Sequence, residues 1–267
     1  MLSEETQSEI TSIWDKFIET NKTVLDTRGR VINDIDQRRL IAIEDIKGMI
    51  AAFIEGKVSI DEFKTSLDGY NKRNNLWGFS AIKGQMFFNQ LTKSSEQNRP
   101  ELVALLKRLI AEPRNLFEAS GKLDELESFI RGIYLTAKDK RKVPNPGSIG
   151  YFLSYFWQIH DHQEWPIIYT SLTRAFSDLG IWQDHPSQKE TYEAFYQLND
   201  DIKGILKQHA HREIDNWDVE HAFSQLSGIP ASTSEKSKKT VAPPFDQSDE
   251  VQVSSSFELS DYLIPKV

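Results

Sequence analysis

The stretch Ser148-Ile149-Gly150-Tyr151-Phe152-Leu153-Ser154-Tyr155-Phe156-Trp157-Gln158-Ile159-His160 decides how this chain folds. Its apolar run, Ile149 to Ile159, is the longest in the sequence. It is too short and too often interrupted by polar residues to cross a bilayer, which takes about 20 apolar residues. The run reads as a helix opened by Ser148, and aromatic residues at helical spacing belong to a core. Related blocks surround it: Trp77-Gly78-Phe79 and Gln85-Met86-Phe87-Phe88 before, Trp165-Pro166 and Trp217-Asp218-Val219-Glu220-His221 after. Together they predict an all-α fold, an irregular multi-helix globular domain with an aromatic-rich core.

Periodicity carries the same reading outward. Ile10, Ile13, Trp14, Phe17 and Ile18 follow the spacing of a helix with one buried face. A second helix spans about 31–54, its stripe made of Ile32, Ile35, Leu40, Ile43, Ile46, Ile50 and Phe53, with Gly56 as its stop. Ser59-Ile60-Asp61-Glu62 is a capping box opening a helix through Phe63 and Leu67 toward Tyr70. The segment 79–91 reads as a helix apolar on both faces, deep in the core. Further helices are expected at 102–110, 123–135, 192–209 and 217–226. Trp165-Pro166 marks the start of another, which carries Leu172, Phe176 and Leu179 and ends at Gly180. Beyond Gly228-Ile229-Pro230 the composition turns to Ser, Lys, Thr, Pro and acidic residues. The predicted organisation is therefore a helical domain over 1–228, divided into N-terminal helices 1–70 and an aromatic-rich core region 71–228. A disordered tail or linker over 229–267 follows, with too little apolar surface to offset its chain entropy. Within it Tyr262, Leu263 and Ile264, followed by Pro265, read either as a short partner-docking motif or as the entrance to a domain that this chain lacks.

Composition narrows the function classes. Of 267 residues 39% are hydrophobic and 11% aromatic, enough for a sizeable core, while the net charge of -8 gives no global attraction to nucleic acid or anionic lipid. Cysteine is absent, which excludes disulfides, thiolate nucleophiles and thiolate zinc sites and fits a reducing compartment. The start Met1-Leu2-Ser3-Glu4-Glu5 lacks the basic and apolar regions of a secretory signal, so a cytoplasmic location without membrane partners is expected.

No phosphate-binding loop, dinucleotide fingerprint, nucleophile elbow or zinc-protease helix occurs. His160-x-His162 and His209-x-His211 are the ligand-like clusters, but on a helix each pair diverges, so they read as solvated or capping histidines rather than metal ligands. His221 reads as packed or hydrogen-bonded within the core. Adjacent acids such as Asp124-Glu125 and Asp200-Asp201 face different sides of a helix and form no catalytic dyad. Neither a catalytic residue nor a cofactor is expected. Basic residues gather at Arg28, Arg30, Arg38 and Arg39, and in the loop 138–147, where Lys138, Lys140, Arg141 and Lys142 precede Pro144 and Pro146. A cationic loop contacts phosphate without reading sequence, so these four are the expected nucleic-acid-binding residues.

Four motifs in order carry a family resemblance: Asn75-Leu76-Trp77-Gly78-Phe79-Ser80; Lys83-Gly84-Gln85-Met86-Phe87-Phe88-Asn89; Pro146 to Trp157 with Trp165-Pro166-Ile167-Ile168-Tyr169; and Asp215-Asn216-Trp217-Asp218-Val219-Glu220-His221. Over roughly 70–225 the chain resembles the N-terminal region found ahead of AAA+ motors in proteins similar to the methylcytosine-restriction B subunit. The resemblance implies a target-recognition module served by a motor and a partner nuclease, and this chain carries no motor. The expectation that follows is a non-catalytic recognition module of a prokaryotic restriction or antiviral defence system. Its partners would be DNA, an AAA+ motor or a nuclease subunit. The alternatives are a protein-interaction or regulatory subunit without nucleic-acid affinity, and a metal-dependent helical enzyme using His160, His162 or His211.

Overall fold

A computed structural model describes residues 2–21 and 32–224, the side chains of Ile32 and Asn33 excepted. Among the described residues every regular element is helical. Helix α1 (Glu4–Thr20) starts at Ser3, whose side chain accepts the Thr6 amide, and buries Ile10, Ile13, Trp14 and Phe17. Ile18 departs from the expected stripe and faces outward. Helix α2 (Ile32–Ile54) buries Ile35, Ile43, Ile46, Ile50 and Phe53. Its expected stripe is also corrected at one position: Leu40 is 49% exposed, and Arg39 takes the inward place. The helix ends where the amide of Lys57 donates to the Ala52 carbonyl and that of Gly56 to Phe53. That double bond needs a left-handed residue, and Gly56 at φ +77° supplies it.

Helix α3 (Ile60–Asn74) opens on the capping box read from the sequence. The Glu62 amide donates to Ser59 Oγ at 3.2 Å, and the Ser59 amide to Glu62 Oε2 at 2.7 Å. The next segment differs from expectation. Residues 79–81 are irregular, a π-helical turn covers Ile82–Met86, and only then does α4 (Phe87–Ser94) begin. Gly84 explains the distortion, because a Cβ there would collide with the Phe79 carbonyl oxygen, which accepts the Gln85 amide at 2.7 Å. The segment is also not apolar on both faces, since Ile82 and Met86 are exposed.

Helices α5 (Arg99–Leu109) and α6 (Leu116–Thr136) follow, then short 3-10 turns at Lys140–Lys142 and Pro146–Ser148. Next come α7 (Ile149–His160), α8 (Thr170–Asp178), α9 (Gln188–Ala210) and α10 (Asn216–Ser224). Trp165-Pro166 does not start a helix. Residues 165–169 are irregular, with the Tyr169 amide donating to the Ile167 carbonyl at 3.0 Å, and burial of Trp165, Ile167 and Ile168 and bonds to neighbouring helices hold them. Gly180 does end α8.

Helix α7 is the axis of the fold, with all residues from Ile149 to Ile159 buried. It packs against α2, α6 and α9. A helix apolar all round must be surrounded, and aromatic rings do the surrounding. Tyr155 sits 4.1 Å from Phe79, Phe152 sits 4.9 Å from Phe87, and Trp157 meets Trp165 and Tyr192 at 5.9 and 5.3 Å between ring centroids. Each such ring, fully buried, contributes about 1.5–3 kcal/mol. Helix α1 packs on α9 and α2 on α7, so the N-terminal helices share one core with the rest. The predicted tail over 229–267, with its Tyr262, Leu263 and Ile264 motif, lies outside the described residues, as do Arg28 and Arg30.

Candidate functional site

The basic loop leaves α6 at Ala137 and enters α7 through Ser148. Asp139 organises it: its carboxylate accepts the Arg141 amide at 3.1 Å and Arg141 Nε at 3.2 Å and lies 3.7 Å from Lys142 Nζ. The bonds from Arg141 hold the Asp139 carboxyl below the usual range. From α4, Gln90 Nε2 donates to the Arg141 carbonyl at 2.7 Å and fastens the turn to the domain. Lys140 folds back over the Tyr134 ring and donates to the Tyr134 and Leu135 carbonyls, where the end of α6 is electronegative. Of the four predicted contact residues, then, Lys140 pins the loop to α6. Lys138 is exposed, and Arg141 and Lys142 are 86% and 82% exposed at the side chain.

Arg39, which the sequence grouped with the basic residues, is not on the surface at all. It is 3% exposed and lies between the indoles of Trp77 and Trp217, at 5.7 and 5.4 Å from the ring centroids. Its guanidinium donates to Glu220 at 2.6 and 3.2 Å and to the Leu76 carbonyl at 2.9 and 3.1 Å. Burial is the largest influence and opposes its charge, but its neighbours together, Glu220 foremost and Asp36 among them, outweigh burial and raise its pKa. Gln158 of α7 completes the cluster. Its Oε1 accepts both indole N–H groups at 3.1 Å, and its amide nitrogen donates to the Trp165 carbonyl at 3.2 Å. The Tyr151 hydroxyl donates to the Trp77 carbonyl at 2.8 Å. The sequence motifs around Trp77, Trp157 and Trp217 thus meet in space and hold one another. Trp157 itself is fully buried, with its indole donating to the Leu109 carbonyl at 2.9 Å, and offers no stacking surface.

The histidines separate in the same way. His160 Nε2–H donates to the Ile110 carbonyl at 3.0 Å, while His162 stacks on Trp217 at 4.3 Å. His209 meets Asp15 at 2.7 Å, and His211 occupies the left-handed cap of α9. His221 bonds Asp36 at 2.9 Å. Among the described residues no three His, Cys, Asp or Glu converge as metal ligands. Glu125 pairs with Arg108 and Asp200 with Lys203, as solvated faces do.

Burial lowers the pKa of His160, because the imidazolium would lose its hydration. The unfolded chain then binds the proton more readily than the folded one, so stability is lost as pH falls through the ordinary histidine value of about 6.5. The fall in urea midpoint between neutral and mildly acidic pH is expected to be shallower in His160→Gln than in the parent. An identical slope would mean that His160 takes no part.

Beside the loop lies a cleft of about 240 Å³ that the sequence did not reveal. Lys83, Gly147, Thr170, His185 and Gln188 are among the residues lining it. They come from separate parts of the chain, and only the packing of α7, α8 and α9 assembles them. Burial lowers the pKa of Lys83.

No protein-family model, no curated protein and no solved structure matches this chain.

Proposed function

We propose that this chain is a non-catalytic recognition module that contacts DNA phosphates through Lys138, Arg141 and Lys142, with Lys140 holding the loop in place. The reading rests on one observation: the loop is a fastened, exposed turn carrying four cations against the single carboxylate of Asp139. A turn ordered before binding loses less entropy on contact than a free segment does. Counterion release from phosphates then supplies affinity despite the overall charge of -8. The resemblance to the motor-associated restriction family supports a place in a prokaryotic restriction or antiviral defence system, with an AAA+ motor or nuclease subunit as partner.

The test is binding to plain and cytosine-methylated duplexes over a range of salt. Each phosphate contact contributes about -0.9 to the slope of log K against log salt. Arg141→Gln with Lys142→Gln is expected to flatten that slope by about two such steps. A methylation difference would tie the module to restriction. Unchanged salt dependence in the double variant would sink the assignment of this loop.

A second reading, a protein-interaction subunit without nucleic-acid affinity, is favoured by exposed apolar residues: Leu135, just before the loop, and Ile82 and Met86 in the π-helical turn. Copurification of a partner, with no DNA binding at low salt, would support it.

A further inference from the structure

Helix α6 presents an outer face that the domain leaves exposed. Phe117 and Leu135 are 85% and 69% exposed, and about five turns of α6 separate them, so both lie on one line along the helix. Between them Gly121, Asp124, Ser128, Arg131 and Gly132 fall within about 60° of that line, and all are exposed. The flanks are taken: Glu125 pairs with Arg108 of α5, while Ser120 and Glu127 bond to Glu193 and Gln188 of α9. Asp124 also lies 3.9 Å from Lys189, and Arg131 lies 2.7 Å from Glu127, yet their side chains remain 56% and 62% exposed. Two large apolar side chains thus end a face that carries an acid and a base between them. Glycine inside a helix is unfavourable relative to alanine, and a Cβ at Gly121 or Gly132 would meet nothing within 4 Å, so packing within the domain accounts for neither.

We propose that this face pairs with a second copy of the chain, the two α6 helices lying antiparallel about a two-fold axis at the level of Leu126. The order of the residues selects that partner and that direction. In such a contact Phe117 of each copy lies opposite Leu135 of the other, so both exposed side chains gain an apolar neighbour at both ends. Asp124 and Arg131 lie on the same side of the line joining Phe117 to Leu135, and the two-fold brings Asp124 of one copy within a helical turn of Arg131 of the other. Two symmetric ion pairs result. On the opposite side Gly121 meets Gly132, where the absence of side chains lets the backbones approach closely. A parallel pairing would set Asp124 against Asp124 and Arg131 against Arg131, and it fails on charge. The ion pairs therefore fix the direction, and burial of the apolar ends supplies most of the affinity. A face about 27 Å long and one helix wide is small for a protein interface, so the dimer is expected to be reversible, with a Kd on the order of 10 µM or weaker. None of this rests on the DNA reading of the basic loop.

The experiment is sedimentation equilibrium of the full chain, without nucleic acid, at concentrations from about 5 to about 500 µM, a range that brackets a weak dimer. A monomer–dimer equilibrium is expected. Phe117→Ser removes a ring from both ends of the contact and should weaken the dimer about tenfold or more. Asp124→Lys and Arg131→Glu each set like charges against one another at both ion pairs, so each alone should remain monomeric. An equal mixture of these two variants restores opposite charges at both places, and a mixed dimer should form with an affinity near that of the parent. That rescue separates the contact from a folding defect, which mixing would not repair. A monomer at every concentration of the parent overturns the proposal, whether residues 229–267 or a different protein covers the face instead. A dimer that Phe117→Ser or either charge variant leaves unchanged overturns it as well. So does a mixture of the two charge variants that stays monomeric.

Discussion

Replacing Arg39 with methionine is expected to destabilise the domain by about 3–5 kcal/mol, the cost of leaving one member of a buried ion pair without the other. Glu220 would keep a charge that no guanidinium balances, and the Leu76 carbonyl would lose both of its guanidinium donors. For a folded unit of this size each kcal/mol lowers the melting temperature by about 2–4 °C, so a fall on the order of 10 °C is predicted. Urea denaturation followed by tryptophan fluorescence measures it directly, because Trp77 and Trp217 flank the substituted side chain. Pairing Arg39→Met with Glu220→Leu removes both charges, and the part of the loss due to the stranded carboxylate should return, since an apolar replacement of a whole pair is often neutral, while the Leu76 carbonyl stays without its donors. A single variant within 1 kcal/mol of the parent would show that water reaches the pair in solution.

The same residue shows where sequence reading succeeds and where it stops. The buried positions of α2 include 35, 42, 43, 46, 50 and 53, and position 39 falls on that stripe at helical spacing. Periodicity therefore located the face. It could not say that an arginine would occupy it, because the partner that makes burial tolerable, Glu220, lies 181 residues away. Leu40, apolar and three residues before Ile43, fits an inward stripe on the sequence, and the structure turns it outward. Local signals fared better. The capping box at Ser59 and Glu62 and the stop at Gly56 depend on neighbours within a few residues, and both form as read.

Trp165-Pro166 failed for a physical reason of the opposite kind. Proline favours a helix start, yet the Ile168 amide donates to Ser154 Oγ and the Tyr192 hydroxyl to the Pro166 carbonyl, so contacts with α7 and α9 hold the segment out of a helix. The candidate site divides along the same line. The basic loop is contiguous, and composition alone exposed it. That Lys140 would turn back onto α6 depends on the carbonyls at a helix end, which the residues themselves do not announce. The cleft beside the loop was invisible because its lining joins residue 83 to residues between 147 and 191, with no spacing that links them.

Gln158→Leu is expected to cost about as much as the loss of Arg39, although it removes no charge. One carbonyl oxygen serves both Trp77 and Trp217, and the amide nitrogen serves Trp165, so leucine strands two buried donors and one buried acceptor. Each unsatisfied group costs about 1–3 kcal/mol, so the three together cost about 3–9 kcal/mol, a range that includes the loss expected for Arg39. Gln158→Glu separates the two halves of that effect. A carboxylate still accepts from both indoles but cannot donate to the Trp165 carbonyl, and burial at a site 1% exposed would raise its pKa above that of the unfolded chain. The sign of the pH dependence follows. A group with a raised folded pKa contributes its stability below the unfolded value, about 4.3 for Glu, and loses it as pH rises through the folded one. Relative to the parent, Gln158→Glu should therefore be weak at neutral pH and recover on acidification, while Gln158→Leu should be equally weak at both. If the two variants tracked each other across pH, the shared acceptor would not be what joins the two tryptophan motifs. The core would then rest on ring packing around α7 alone.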